Sequence, residues 1–197
     1  MRCGRTLFAV GACAVLAGCL GTSRPPVKAW TVEPAVSDAA SRPPVRLDEL
    51  NPPPFRSTRL GGVTVLAPYD SVPMRVKRAD GSLAEDAYNV FAAAPAQLLR
   101  RPVIGALAQE PRFGRVLSPA STASAEAVAE VMVSELALDC RDGRKATVRL
   151  GVNVVKGRDV VLSAEAAGTA DASSGDYTEA FSKAFNDALR EGLVNLK

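Results

Sequence analysis

AEVMVSELALDC (129–140), ATVRLGVNVV (146–155) and DVVLSAEAAG (159–168) decide how this chain folds, because three valine- and leucine-rich runs follow one another with only turn chemistry between them. Residues of this kind suit a pleated, half-buried surface. Asp142-Gly143 separates the first pair and Lys156-Gly157 the second, each read as a two-residue connection that closes a tight hairpin. The expectation is a three-stranded antiparallel meander. Arg149, Asn153, Ser163 and Glu165 interleave with the apolar residues, so one face of the sheet is wet and the other covered. The same alternation accounts for Glu130, Ser134 and Glu135 as face residues. Carboxylates that do acid–base work need a shielded pocket and opposed environments instead.

The cover for the dry face follows immediately. Asp176 and Glu179 make a capping-box-like start, and Tyr177, Phe181, Ala184, Phe185, Ala188, Leu189, Leu193 and Leu196 mark one apolar stripe. At helical spacing these aromatics read as core rather than as the wall of a lipid-accepting groove. Glu179 and Lys183, one turn apart, predict an ion pair of about 0.3 kcal/mol. The helix's polar face is not basic, which disfavours its lying on a membrane.

Upstream of the meander, Pro95 suits a first helical position, and Leu99, Val103 and Leu107 recur at helical spacing up to Glu110. Pro102 interrupts this pattern. Inside a helix it removes a backbone bond at a cost of roughly 3 kcal/mol, so two short helices, the second starting at Pro102, remain open. Val63 to Leu66 is a short strand stopped by Pro68, and Met74–Arg78 and Ser82–Phe91 flank the turn dipeptide Asp80-Gly81. Pro111, Phe113 and Val116 return the chain to the sheet, and Ser118 to Ser124 is a small-residue loop. The fold class expected is α+β: a two-layer, largely antiparallel sheet covered by two helices, one of them the C-terminal amphipathic helix.

The other end of the chain speaks of location. Arg2 and Arg5 precede an apolar run, Leu7 to Val15, which ends in Leu16-Ala17-Gly18-Cys19. A membrane span needs about 20 apolar residues, so this run has the length of a signal peptide. Small residues before a cysteine are the mark of a bacterial lipoprotein: Cys19 would accept diacylglycerol and become the first residue of the mature chain. An ordinary secretory signal with Cys19 incidental is the plainer reading. On the first reading, residues 1–18 are the signal peptide, 19–60 a lipid-anchored proline-rich tether and 61–197 the folded domain. Within the tether, Ala29-Trp30-Thr31-Val32-Glu33 has strand character and would dock as an early edge strand, with Trp30 as its anchor. Leu20 after the cysteine, with no aspartate there, suggests the periplasmic face of the outer membrane over the inner.

Composition narrows function. The chain has 24 Lys+Arg and 21 Asp+Glu, and without Arg2 and Arg5 it is near neutral, which disfavours nucleic-acid binding. A count of 0 for His removes the usual general base and the commonest zinc ligand, and excludes a Ser-His-Asp hydrolase. No nucleophile elbow, Walker-type glycine loop or metal-spaced cluster occurs, so no catalytic, cofactor-binding or metal residue is assigned. Of the 4 cysteines, Cys3 and Cys13 would leave with the signal and Cys19 would carry lipid. Cys140 is then a small, partly buried hydrophobe at the end of a strand.

Read in order, the pieces resemble the ABC-type transport auxiliary lipoproteins, the PqiC-like partners of MCE-type lipid transport systems. The resemblance rests on a lipobox cysteine, then Ala29 to Pro34, Val63 to Pro68, the hairpin Val76 to Leu83, the aromatic stretch Tyr88 to Pro95, the return Arg112-Phe113-Gly114-Arg115-Val116, the meander and the final helix. Phe91 stands where many members have tryptophan, and Trp30 where tyrosine is usual. The family fixes no catalytic residues. The resemblance implies a non-enzymatic auxiliary component of an ABC/MCE-type transporter of phospholipid or another hydrophobic molecule. Its partners would be an MCE-domain substrate-binding protein and an ABC permease and ATPase, with the membrane held through acyl chains on Cys19; a homo-oligomer stays open. The alternatives are an envelope assembly or scaffolding lipoprotein of TolB-like or curli-secretion type, and a small lipid-binding chaperone. A chaperone needs a continuous apolar cavity between helix and sheet; a docking module needs a packed core and an exposed apolar patch.

Overall fold

The computed structural model describes residues 25–35 and 55–197. The expected signal peptide 1–18, Cys19 and most of the expected proline-rich tether lie outside the described residues. Eight strands form one mixed sheet: β1 (Lys28–Trp30), β2 (Ser57–Val65), β3 (Pro73–Lys77), β4 (Leu83–Phe91), β5 (Arg115–Leu117), β6 (Ala127–Asp139), β7 (Lys145–Lys156) and β8 (Asp159–Asp171). Helices α1 (Pro95–Leu98), α2 (Arg100–Gln109) and α3 (Tyr177–Val194) carry the second layer. The fold is α+β.

The meander is present. β6 pairs antiparallel with β7, and β7 with β8, along almost their whole lengths. Apolar side chains of the covered face are Val131, Val133, Leu136, Leu138, Val148, Leu150, Val152 and Val154, all buried. Between Val133 and Glu135 the register slips by one residue, so Ser134 is a bulge. That extra residue restores Leu136 and Leu138 to the covered face, since a one-residue slip flips every side chain beyond it.

The first connection is longer than the expected two-residue turn. The strands stop at Asp139 and Lys145, because the Asp139 carboxylate captures the Arg141 N–H at 3.0 Å and its guanidinium at 2.6 Å. Five residues therefore link them, with Cys140 half-buried against the core. The second connection is a tight two-residue turn, but one residue later than expected: Lys156 ends β7 and Gly157-Arg158 makes the turn, with Gly157 at φ 68°.

The sheet is less uniformly antiparallel toward its N-terminal strands. β2 lies parallel against the first half of β6 and β3 parallel against its last three residues, so both occupy the same edge of β6. β5 adds parallel to β2, β4 antiparallel to β3, and β1 parallel to β4 at the sheet's margin. The expected hairpin around Asp80-Gly81 is β3–β4, closed by the Arg78 carbonyl accepting from Gly81.

The first helix is broken, as its proline foreshadowed, but the break is at Leu99 and the second piece starts at Arg100, two residues ahead of Pro102. In the first turn of α2 the missing Pro102 N–H has no place in the helical ladder to lose, while its ring pushes away the Leu98 carbonyl that would have accepted there. Leu99, Val103 and Leu107 still fall on one buried side. The helix ends at Gln109, one residue short of Glu110, which is extended ahead of Pro111.

Helix α3 follows its expected stripe, and every residue of it is buried. Asp176 caps it, accepting from the Glu179 N–H at 3.0 Å. The expected Glu179–Lys183 pair gives way to Lys183–Asp187 at 2.7 Å, because Asp187 sits between two cations and also takes Arg190 at 3.0 Å. The helix backbone presses on β8 at Gly168, where a Cβ would overlap the Ala184 carbonyl and stand 3.0 Å from the Ala188 nitrogen. Phe181 meets Phe91 edge-on, with ring centres 5.4 Å apart, and ties α3 to β4.

Candidate functional site

Cys19 is the one residue to which the sequence assigns a function, and it lies outside the described residues. What the structure shows is how the chain just after it is fixed. Trp30 ends β1 as the expected edge-strand anchor: its indole Nε1 donates to Asn89 Oδ1 at 3.0 Å and its ring packs 5.1 Å from that of Tyr177. Asp86 holds Asn89 in place by accepting from its N–H at 3.0 Å and its side-chain amide at 2.8 Å.

Beyond Trp30 the chain becomes a strap across α3. The Thr31 N–H donates to Thr178 Oγ1 at 3.3 Å, the Glu33 N–H donates to Ser182 Oγ at 2.8 Å, and Asn186 donates from Nδ2 to the Glu33 carbonyl at 2.9 Å. Thr178, Ser182 and Asn186 recur every four residues, which places them in one row along the helix. This polar row serves the strap's backbone, and Val32 is buried beneath it. Sequence reasoning missed it; the signal was a row of short hydrogen-bonding side chains beside the apolar stripe.

Trp30, Tyr88, Tyr177, Asn89, Lys28 and Arg144 are among the residues that line an open groove of about 300 Å³ at this margin. Tyr88 is 43% exposed and Val27, just before β1, 59%. The groove is shallow. Between sheet and helices, by contrast, Phe91, Phe113, Phe181, Phe185, Leu136 and Leu189 are fully buried and in contact within one core.

The uncovered face of the sheet carries ion pairs. Glu135 accepts from Lys77 at 2.6 Å and from the Thr147 hydroxyl at 2.8 Å; Arg75 pairs with Glu85 at 2.9 Å. Burial works to raise the Glu135 pKa, but the bonds from Lys77 and Thr147 outweigh it and hold the carboxyl below its ordinary value. An ionised, doubly bonded carboxylate of this kind bridges β3, β6 and β7; a general acid would need the opposite shift. Ser134, on its bulge, donates to the Arg149 carbonyl at 3.4 Å. Among the described residues no cluster of three or more His, Cys, Asp or Glu is placed to hold a metal.

One charged residue is buried for a structural purpose. Arg112, 8% exposed in the turn Pro111–Phe113, pairs with Glu110 at 2.8 Å and donates to the carbonyls of Leu193 and Leu196. Leu193 is in the last turn of α3 and Leu196 just beyond it, where the helix dipole is negative and acceptors lack intrahelical donors. Arg112 is thus the C-terminal cap of α3, supplied from 81 residues upstream.

No family model matches the chain, and no curated protein does. Among solved structures, it is similar to a Xanthomonas campestris protein of the DUF330 family, with 16% identity, a TM-score of 0.61, and 84% of this chain and 91% of that chain covered. A second crystal structure, of an uncharacterized protein, has 12% identity and a TM-score of 0.53 over 73% of this chain and 91% of that one. A PelC dodecamer from Paraburkholderia phytofirmans follows at 14% identity and a TM-score of 0.38, over 68% of this chain and 87% of that one. The first two likenesses are of fold: this chain is built on the architecture of the Xanthomonas DUF330 protein.

Proposed function

We propose that this protein is a lipoprotein anchored through Cys19 at the periplasmic face of the outer membrane, and that it serves as a non-enzymatic auxiliary component of an ABC/MCE-type transporter of phospholipid or another hydrophobic molecule. The observation that carries the docking role is the packed interface between α3 and the sheet. Gly168 lets the helix backbone touch β8, and the fully buried aromatics fill the layer, which leaves a lipid no chamber to occupy. A carrier that holds its own ligand needs a cavity of several hundred Å³ that encloses it. The open groove beside Trp30 does not enclose.

The sheet offers a partner a usable surface. Val128, Val155 and Val160 form one cross-strand row on the uncovered face, and Met132 stands two rows along, next to Glu130 and Asn153. Val160 and Met132 are well exposed, so the row is an apolar patch framed by polar residues, the composition of a protein contact. The domain docks by this face while the anchor fixes its distance from the membrane.

The test is crosslinking in intact cells, followed by mild-detergent purification of the tagged full-length lipoprotein and mass spectrometry. An MCE-domain protein or ABC permease should copurify, and Val160→Glu should reduce its recovery at unchanged expression. Recovery only of secretion-channel or peptidoglycan-linked proteins overturns the transport reading in favour of an envelope scaffold.

A further inference from the structure

We propose that the groove lined by Trp30, Tyr88, Tyr177, Lys28 and Arg144 rests on the anionic phospholipid headgroups of the membrane that holds the anchor. This rests on the lipidation of Cys19 proposed above.

Reach comes first. Five residues separate Cys19 from Pro25, where the described chain enters the groove. Fully extended, the six Cα-to-Cα steps from Cys19 to Pro25 span at most about 22 Å, so the groove is always within a short distance of the headgroup layer. A strand held to β4, with a strap bonded to α3 behind it, fixes the groove's orientation relative to the incoming chain. The part of the domain nearest the membrane is therefore this margin of the sheet.

Chemistry agrees with position. Tyrosine and tryptophan are the side chains that favour the membrane–water interface, where an apolar ring and a polar tip are both accommodated. Val27 and Tyr88 leave apolar surface exposed at the same margin. Lys28 and Arg144 line the same groove and supply positive charge. The neighbouring carboxylates serve local donors: Asp86 accepts N–H bonds from Tyr88 and Asn89, and Asp176, itself exposed, caps α3. A cation close to an anionic surface shifts binding by about fivefold, so the two together favour the docked state by roughly 25-fold.

Trp30 is the only tryptophan in the chain and reports the groove directly. The full-length acylated protein is reconstituted into vesicles of phosphatidylethanolamine and phosphatidylglycerol carrying a nitroxide either on the headgroup or deep in the acyl chain. The headgroup nitroxide should quench Trp30 and the deep one should not, and Lys28→Gln/Arg144→Gln should lower the docked-to-undocked ratio by roughly 25-fold. Protein that floats with the vesicles while Trp30 ignores both nitroxides overturns the docking proposal and leaves the anchor standing. Protein that neither floats nor carries acyl mass at Cys19 overturns both. A change in Trp30 emission on adding inorganic phosphate without vesicles, equal to that with vesicles, would make the groove a free-phosphate site and also overturn it.

Discussion

The meander with its helix and the N-terminal strands reach the same sheet by opposite routes. β6, β7 and β8 pair with their sequence neighbours across short turns, and α3 folds back directly over them. β1, β2 and β5 instead find parallel partners far along the chain, as when Lys28 pairs with Asn89 and Thr58 with Ala127. Local antiparallel pairing closes small loops; long-range parallel pairing needs the core already in place to reward it. The C-terminal unit is thus the platform, and the N-terminal strands and strap are laid onto it. β1 and the strap after it belong to the part that is added.

If α3 is the platform's keystone, removing its largest contact should unfold both regions together. Phe181→Ala deletes a fully buried ring and its edge contact with Phe91, with an expected loss of about 3–5 kcal/mol. Urea unfolding followed by far-UV circular dichroism and by Trp30 fluorescence should give coincident transitions at a lower midpoint. Val32→Ala in the strap breaks the symmetry: hydrogen exchange should quicken at Thr31 and Glu33 while β7 amides stay protected. Equal quickening in both places would mean that the strap is part of the platform.

Arg112 joins the two regions, and its loss comes next in size. Arg112→Ala leaves the Leu193 and Leu196 carbonyls and the Glu110 carboxylate without their buried donor, at a cost of about 2–3 kcal/mol. Arg112→Lys should recover only part of this, because one ammonium cannot span Glu110 and two carbonyls as a planar guanidinium does. Equal stability of the two variants, measured by thermal unfolding, would show that only charge matters there.

What the sequence disclosed divides along the same line as the fold. The meander, the α3 stripe and the Asp176 cap depend on spacing within about twenty residues, and all were readable there. The Ser134 bulge was also readable in principle, since Val131 and Val133 lie on odd positions and Leu136 and Leu138 on even ones, a change of phase that one extra residue resolves. The five-residue turn at Cys140 was not, because it depends on a carboxylate at Asp139 outcompeting the Asp142-Gly143 turn for the backbone. Nor was the sharing of one edge of β6 by β2 and β3, or the capping of α3 by Arg112. These are long-range pairings, and no local pattern encodes the partner. The row Thr178, Ser182 and Asn186 stood at helical spacing, yet its strap partner lies about 150 residues away.

Thr58 marks where the added strands fit the platform less well. Its side chain is fully buried in β2, and among the described residues its hydroxyl has no hydrogen-bond partner. Burying a hydroxyl without a partner costs about 1–3 kcal/mol, so Thr58→Val, which keeps the shape and removes the polar atom, should raise stability by about 1 kcal/mol. A lower unfolding midpoint would mean that the hydroxyl has a partner after all.

The smallest effect separates the two regions by pH. The Arg141 guanidinium holds the Asp139 carboxyl down, from its ordinary 3.8 to about 2, inside the meander's first turn. Because the folded pKa is the lower one, the stabilisation is complete above about pH 4 and disappears as pH falls through about 2. Arg141 is half in solvent, so screening keeps the contribution small. Asp139→Asn should therefore be slightly less stable than the native chain at neutral pH and converge with it on acidification. Glu135→Gln should converge too, though from a larger deficit, because its Lys77 partner belongs to β3 and the pair binds the added strands to the platform. Parallel stability curves from pH 5 to 2 for Asp139→Asn and the native protein would sink the local pair as an acid-sensitive element; a smaller deficit for Glu135→Gln than for Asp139→Asn would show that the join between the regions rests on backbone pairing and on Arg112, with charge across the sheet adding nothing.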